Sequence, residues 1–214
     1  MIHLYGVVDG LTALPPLAGL EEASLERCRV DGLELVLSRS QTAQSAEISR
    51  DSVLRHAKVV EELMGRSAAV LPAQLGRAFR DEDELAAAVR AQAPQLERAL
   101  ERVRGCVEFG LRAVSSESVG ELDAASGTDY MRARLEEVQR SDRLVAQLHE
   151  PLAGLAHEVT LQQHGGEISA AYLVAREGAE AFQDAVARLE RPPEVTVVCT
   201  GPWPPYSFAA EARQ

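Results

Sequence analysis

Aromatic residues are scarce in this 214-residue chain, at 4%, with a single tryptophan. A core with so few rings has to be aliphatic, and the abundance of Ala and Leu favours helices. Cysteines are few and scattered. Cys28, Cys106 and Cys199 are odd in number and form no CxxC pair, which argues against a disulfide framework and for three reduced, mostly buried thiols. No run of about 18 apolar residues occurs, so no transmembrane helix is expected. The opening Met1-Ile2-His3-Leu4-Tyr5-Gly6 has neither a basic region nor a long apolar stretch, so no secretory signal is expected, and the protein reads as cytoplasmic. Positive charge is in deficit: 22 Lys and Arg stand against 33 Asp and Glu, for a net charge of −11. Phosphate backbones and anionic headgroups would be repelled, so neither nucleic acid nor a membrane is an expected partner.

Motifs that carry chemistry are missing as well. Neither GxGxxG nor GxxxxGK[ST] occurs, so no phosphate-cradling loop is expected. There is no GxSxG elbow, and the serines Ser115, Ser116 and Ser118 have no histidine beside them in sequence. His149, His157 and His164 are spaced too widely for an HExxH-type ligand pair, and no carboxylate cluster accompanies them. His56, between Val53 and Val60, reads as a packed, hydrogen-bonded side chain rather than a catalytic base. Asp81-Glu82-Asp83-Glu84 lies where a helix begins and suits the helix dipole. Glu136-Glu137, near Arg132, Arg134 and Arg140, reads as a solvated helical face. No catalytic set, cofactor or metal site is expected, and no enzymatic activity.

What is present is a mixture of short strands and helices. Ile2 to Val8 reads as a strand. Leu25 to Val30 and Leu33 to Leu37 read as a hairpin turned by Asp31-Gly32. Ser38 to Ser49 reads as an exposed loop. Ser49 caps a helix to about Met64 that buries Val53, Ala57, Val60 and Met64. Ala68 to Leu71 is a short apolar run stopped by Pro72. Asp81 and Glu84 have capping-box spacing and open a helix that buries Leu85, Val89, Leu96, Leu100 and Val103; Pro94 should bend or divide it. After Gly105, Val107, Phe109 and Leu111 alternate as a strand. Ser115 to Thr128 is the best linker. Asp129 to Glu150 reads as a helix with Met131, Leu135, Val138, Val145 and Leu148 on one stripe, suited to pairing with another helix. A hairpin over 159–175 turning at Gly165-Gly166, a helix over 178–189 and a strand from Val195 to Cys199 follow. Hairpins without strict alternation argue for α+β layers, largely antiparallel, each sheet covered by helices on one face. A ferredoxin-like arrangement suits both halves. The expected domains are 1–118, ferredoxin-like, and 119–214, α+β with a long helix and a Pro/aromatic tail. The two share no sequence repeat.

The tail is the most distinctive stretch: Gly201, Pro202, Trp203, Pro204, Pro205, Tyr206, Ser207 and Phe208 follow the last strand. Proline donates no backbone N–H, so the segment should leave the sheet as a stiff, ring-bearing arm. The prolines also remove the donors that an anion-binding nest after Gly201 would need. Such an arm either packs on its own domain or anchors a protein partner, and the two are compatible if it is part docked and part exposed.

Several runs together resemble the gas-vesicle F/L proteins (GvpF/GvpL). They are Leu4-Tyr5-Gly6-Val7-Val8, Arg55-His56 with Val59-Val60-Glu61, Val70-Leu71-Pro72 with Gly76, Gly105-Cys106-Val107-Glu108-Phe109-Gly110-Leu111, Gly127-Thr128-Asp129-Tyr130 and the tail Gly201 to Phe208. The tail is the most specific of them, and Leu75 departs from the pattern where the family usually has an aromatic before glycine. The resemblance does not separate the F from the L branch. It implies a two-domain α+β protein without enzymatic activity, an accessory factor of gas-vesicle assembly. It also implies contact with the small hydrophobic shell protein and other accessory proteins, as nucleator, chaperone or minor vesicle component. A ligand-binding regulatory module on a ferredoxin-like scaffold is the alternative.

Overall fold

The computed structural model describes residues 1–40, 48–115, 126–164 and 167–209. Contacts divide the chain into a first unit, 1–106 with 203–214, and a second unit, 107–202. The domain boundary expected at 118/119, the serines Ser116 and Ser118, most of the expected linker and of the 38–49 loop, and the Gly165-Gly166 turn lie outside the described residues.

In the first unit, β1 (Ile2–Asp9), β2 (Leu25–Val30), β3 (Leu33–Arg39) and β4 (Ala69–Pro72) form a sheet in the order β2-β3-β1-β4, with the short β5 (Ala78–Phe79) also on β1. Every pairing is antiparallel. Counted by those four strands, this is the ferredoxin-like order 4-1-3-2. The crossover from β1 to β2 is irregular, however. Where that fold carries a helix, this chain has only a 3-10 turn at Leu20–Glu22. Pro15-Pro16 and Gly19 interrupt any helical run there. The hairpin turn forms at Asp31-Gly32, where both residues take positive φ, 48° and 84°, as a two-residue turn between twisted strands requires.

Helix α1 (Arg50–Arg66) covers one face of this sheet and α2 (Glu82–Arg102) the other. Adjacent strand residues point to opposite faces. Val8, Val36 and Val70 pack with Val59, Val60 and Leu63 of α1. Val7 and Leu71 line, with Val89 and Leu96 of α2, a small apolar cavity. The expectation of one covered face fails here because β1 is apolar throughout: all of Ile2 to Val8 is buried. A strand buried on both faces reads as a continuous apolar run rather than an alternation.

Ser49 and Ser52 form a reciprocal capping box at the start of α1. The buried stripe is His56, Val59, Val60 and Leu63, whereas Val53 and Ala57 are exposed. The apolar periodicity is real, but its centre lies one position off the expected line. Asp81 caps α2 through the Glu84 N–H at 2.9 Å. Pro94 does not divide the helix, which is continuous to Arg102. A proline forfeits one i to i−4 bond, and Leu85, Val89, Leu96, Ala99 and Leu100 are buried on both sides of it.

The second unit runs β6 (Cys106–Ser115), α3 (Gly127–Leu148), α4 (Glu150–Ala153), β7 (Glu158–His164), β8 (Glu167–Ala175), α5 (Ala179–Ala187) and β9 (Val195–Trp203). Its sheet order, β7-β8-β6-β9, is again 4-1-3-2, now with helices in both crossovers. Phe109 stacks on Phe182 with centroids 4.8 Å apart, and Tyr172 lies against Phe182 at 5.2 Å. Leu144, Leu148, Leu152, Ile168 and Val186 are buried around them, with Leu111, Leu173 and Val174. Of the expected α3 stripe, only the C-terminal part is covered: Met131, Leu135 and Val138 are exposed.

The most polar part of the first unit's interior is a cluster on the α1 face. The Tyr5 hydroxyl accepts from the Leu20 N–H at 2.7 Å and bonds the Ser38 hydroxyl at 3.1 Å. Its ring stacks on His56 and meets the His3 ring edge-on. His3 Nε2 and His56 Nδ1 are 3.2 Å apart, and His56 Nε2 is 3.0 Å from the Ala73 carbonyl oxygen. A carbonyl can only accept, so His56 donates from Nε2. Burial keeps both rings neutral, and with His56 neutral its Nδ1 accepts from His3 Nε2. Burial, and then the neighbouring His56, push His3 down to about 4, and burial lowers His56. The unfolded chain thus binds protons that the folded one refuses, and stability falls as pH drops below about 6.5 toward 4. Thermal melts between pH 7.5 and 4 should show this loss, about 3 kcal/mol from His3 if its full titration is traversed. The His3→Gln variant should melt with a clearly shallower slope over that window, and an unchanged slope would remove His3 as the cause.

Candidate interaction site

The Pro/aromatic arm leaves the sheet later than its sequence suggests, after Trp203 rather than before Gly201. Strand β9 does not stop at Cys199 but continues through Gly201 and Pro202 to Trp203. Proline interrupts a ladder only where its N–H is needed, and β9 is the end strand of its sheet, where one side of the backbone needs no partner. Gly201 sits at φ 120°, and a Cβ there would lie 2.7 Å from the Glu108 carbonyl oxygen and 2.9 Å from the Phe109 ring. Only glycine satisfies both that backbone and that approach to β6.

Beyond β9 the arm turns into the first unit. Pro204, Pro205, Phe208 and Ala209 are buried, and Tyr206 is half-buried against the α1-side core of Val8, Val36 and Val59. The Tyr206 N–H donates to the Pro204 carbonyl oxygen at 2.8 Å, and the Ala209 N–H to that of Pro205 at 3.0 Å. The Phe208 carbonyl oxygen accepts from the Arg102 guanidinium at the end of α2. Ala209 lines the cavity on the α2 side with Leu4, Leu71 and Leu96. The arm therefore reaches both faces of the first unit's sheet. Its rings are mainly structural, and Pro202 and Trp203 are the exposed part, Trp203 at 46%.

The anchors Arg102 and Ala209 could not be picked out from the sequence, because nothing local marks a contact that spans 106 residues. His149 and His157 have separate surroundings. His149 Nδ1 lies 3.0 Å from the Tyr172 hydroxyl, and His157 is exposed. Among the described residues no group of three His, Cys, Asp or Glu side chains is placed to hold a metal ion, and all three cysteines are free. Burial raises the Cys199 thiol and the Tyr172 hydroxyl, which keeps both protonated. No helix among the described residues is long and apolar enough to cross a membrane.

Two α+β units of ferredoxin-like strand order, with a C-terminal arm packed on the first, define the class of protein. The particular family follows from the sequence: the model of the family described as "Gas vesicle synthesis protein GvpL/GvpF" matches residues 1–210, and the chain belongs to that family. Gas vesicle protein L of Streptomyces sp. (strain CB03234) is 30% identical, over 98% of this chain and 83% of that protein. Gas vesicle protein F of Haloferax mediterranei is 28% identical, over 97% and 92%. The crystal structure of GvpF from Microcystis aeruginosa superposes with a TM-score of 0.76 at 17% identity, covering 97% of this chain and 98% of that one. GvpF from Anabaena sp. PCC7120 gives 0.75 at 19%, covering 97% and 95%.

Two substitutions separate the structural parts of the arm. Gly201→Ala should cost about 2–4 kcal/mol through the clash and the strained φ, and Phe208→Ala about 3–5 kcal/mol through the emptied site. Chemical denaturation reads both. A Phe208→Ala protein as stable as the parent would show that the arm is not docked.

Proposed function

We propose that this protein acts in gas-vesicle formation as a non-enzymatic accessory factor that works by contact with other proteins. The observation that carries the reading is the family match over residues 1–210. The partner we infer is the small hydrophobic shell protein, together with other accessory proteins, met in the cytoplasm and at the growing vesicle. A shell subunit must expose a large apolar surface before it polymerises, and such a surface aggregates unless it is escorted or nucleated. The chain has the attributes of an escort: a net charge of −11 for solubility and an exposed Trp203 held on a backbone that burial of Pro204, Pro205 and Phe208 fixes in place. A large ring on a preorganised backbone loses little entropy on binding, which is why tryptophan recurs among interface anchors.

Co-expression with the shell protein tests this directly. A complex should be recovered by affinity capture of either component, and Trp203→Ala should weaken it at least about tenfold while leaving the melting temperature of the isolated protein unchanged. Loss of the gene should abolish or misshape vesicles. Normal vesicles without the gene, or thermal stabilisation by an amino acid or nucleotide instead of by the shell protein, would overturn the reading.

A further inference from the structure

The apolar residues of α3 fall into two sets with different surroundings. Leu144 and Leu148, in its C-terminal half, are buried in the second unit. Met131, Leu135 and Val138, in its N-terminal half, are 66%, 57% and 46% exposed. Their spacing of four and three residues puts the three on one line. At about 100° per residue, that line lies roughly 120° around the helix from Leu144 and Leu148. It is therefore not a frayed end of the buried face but a second apolar stripe pointing elsewhere. Thr128 and Asp142 stand on the same line at either end, and Val145 beyond Asp142 is half-buried, so the exposed stripe spans about two turns.

The flanks carry the more specific information. Arg132 lies on one side of the stripe and Arg134 on the other, and both are exposed. Arg132 also forms an i,i+3 pair with Asp129 at 3.5 Å, two-thirds exposed on the arginine side. Solvated pairs of that kind are weak and exchange readily. An apolar line flanked by arginine on both sides is unusual on a chain of net charge −11. It selects an occupant. A second copy of this chain would offer Arg132, Arg134, Gln139 and Ser141 at the flanking positions, which contain no acid. An anionic bilayer would be repelled by the rest of the surface, and three side chains on two turns give it little to bury.

We propose that Met131, Leu135 and Val138 form a docking site for an amphipathic helix of another protein, one whose apolar line is flanked by Asp or Glu. The pairing is side-by-side helix packing in which the apolar lines supply the contact and the flanking charges set partner choice. The inference rests on the reading that this protein works through protein contacts, and its test uses no vesicle, so the two can fail separately.

The probe is a labelled synthetic helix with Leu at its a and d positions and Glu at e and g, with a twin bearing Lys at e and g, each titrated against the full chain by fluorescence anisotropy. The Glu peptide should bind at least about tenfold tighter than the Lys peptide, and its affinity should fall with added salt. Met131→Ser with Leu135→Ser should reduce binding at least about tenfold at unchanged melting temperature, since both side chains are already in water. Arg132→Glu with Arg134→Glu should reverse the preference in favour of the Lys peptide. Equal binding of the two peptides, or binding indifferent to the serine variants, would overturn the proposal. So would stripe-dependent binding to phosphatidylglycerol vesicles in place of the peptide, or a stripe-dependent dimer in sedimentation.

Discussion

Strand β1 has protein on every side: β3 along one edge, β4 and β5 along the other, α1 over one face and α2 over the opposite face. Such a strand has no water to satisfy its backbone or to receive a polar side chain, so each polar group it carries must find a partner inside. His3 and Tyr5 are those groups, and the arrangement around them follows. The Tyr5 hydroxyl takes up the Leu20 N–H and so fixes the irregular crossover that replaces a helix. Gly19, beside it, leaves no room for a side chain: a Cβ would stand 2.3 Å from that hydroxyl. His3 reaches His56 of α1, which in turn reaches the Ala73 carbonyl just beyond β4, and the Ala73 N–H donates to the Tyr5 carbonyl oxygen. One buried polar chain thus joins β1, the crossover, α1 and the end of β4. Networks of this kind favour a single arrangement because any other leaves a member unpaired.

The C-terminal arm belongs to the same economy of enclosure. It brings Phe208 and Ala209 to a unit whose other residues all precede residue 107. Folding of the first unit is therefore complete only when the end of the chain is present, and contacts of such sequence separation form late and slowly. Trp203, the last residue of β9, immediately precedes that buried segment.

Features written in short stretches were legible from the sequence. Asp31-Gly32 specified its turn, Ser49 and Asp81 marked the helix starts they cap, and the apolar runs at 2–8, 68–71 and 195–199 overlap strands β1, β4 and β9. What escaped depends on distance or on context. The His3–His56 bond spans 53 residues, and no local pattern distinguishes it from two ordinary histidines, although His56 was legible as a packed side chain. Periodicity identified α3 as amphipathic, but periodicity cannot say whether an apolar side chain is covered by its own chain; Met131, Leu135 and Val138 are not. Pro202 looked like the end of a strand because the rule against proline in a sheet applies to central positions, and the sequence does not reveal which strand stands at the end. The ferredoxin-like arrangement that the succession of elements suggests for both halves is present in both units, without any shared sequence pattern. Order is set by which apolar faces meet, and many sequences meet that requirement.

A strand at the border of a sheet is a template: its outward N–H and C=O groups invite another strand, and a row of like copies can then stack without limit. Pro202 carries no N–H, and its ring crowds whatever approaches that end of β9. The C-terminal end of β9 is therefore a poorer template for stacking than an unbroken strand would be.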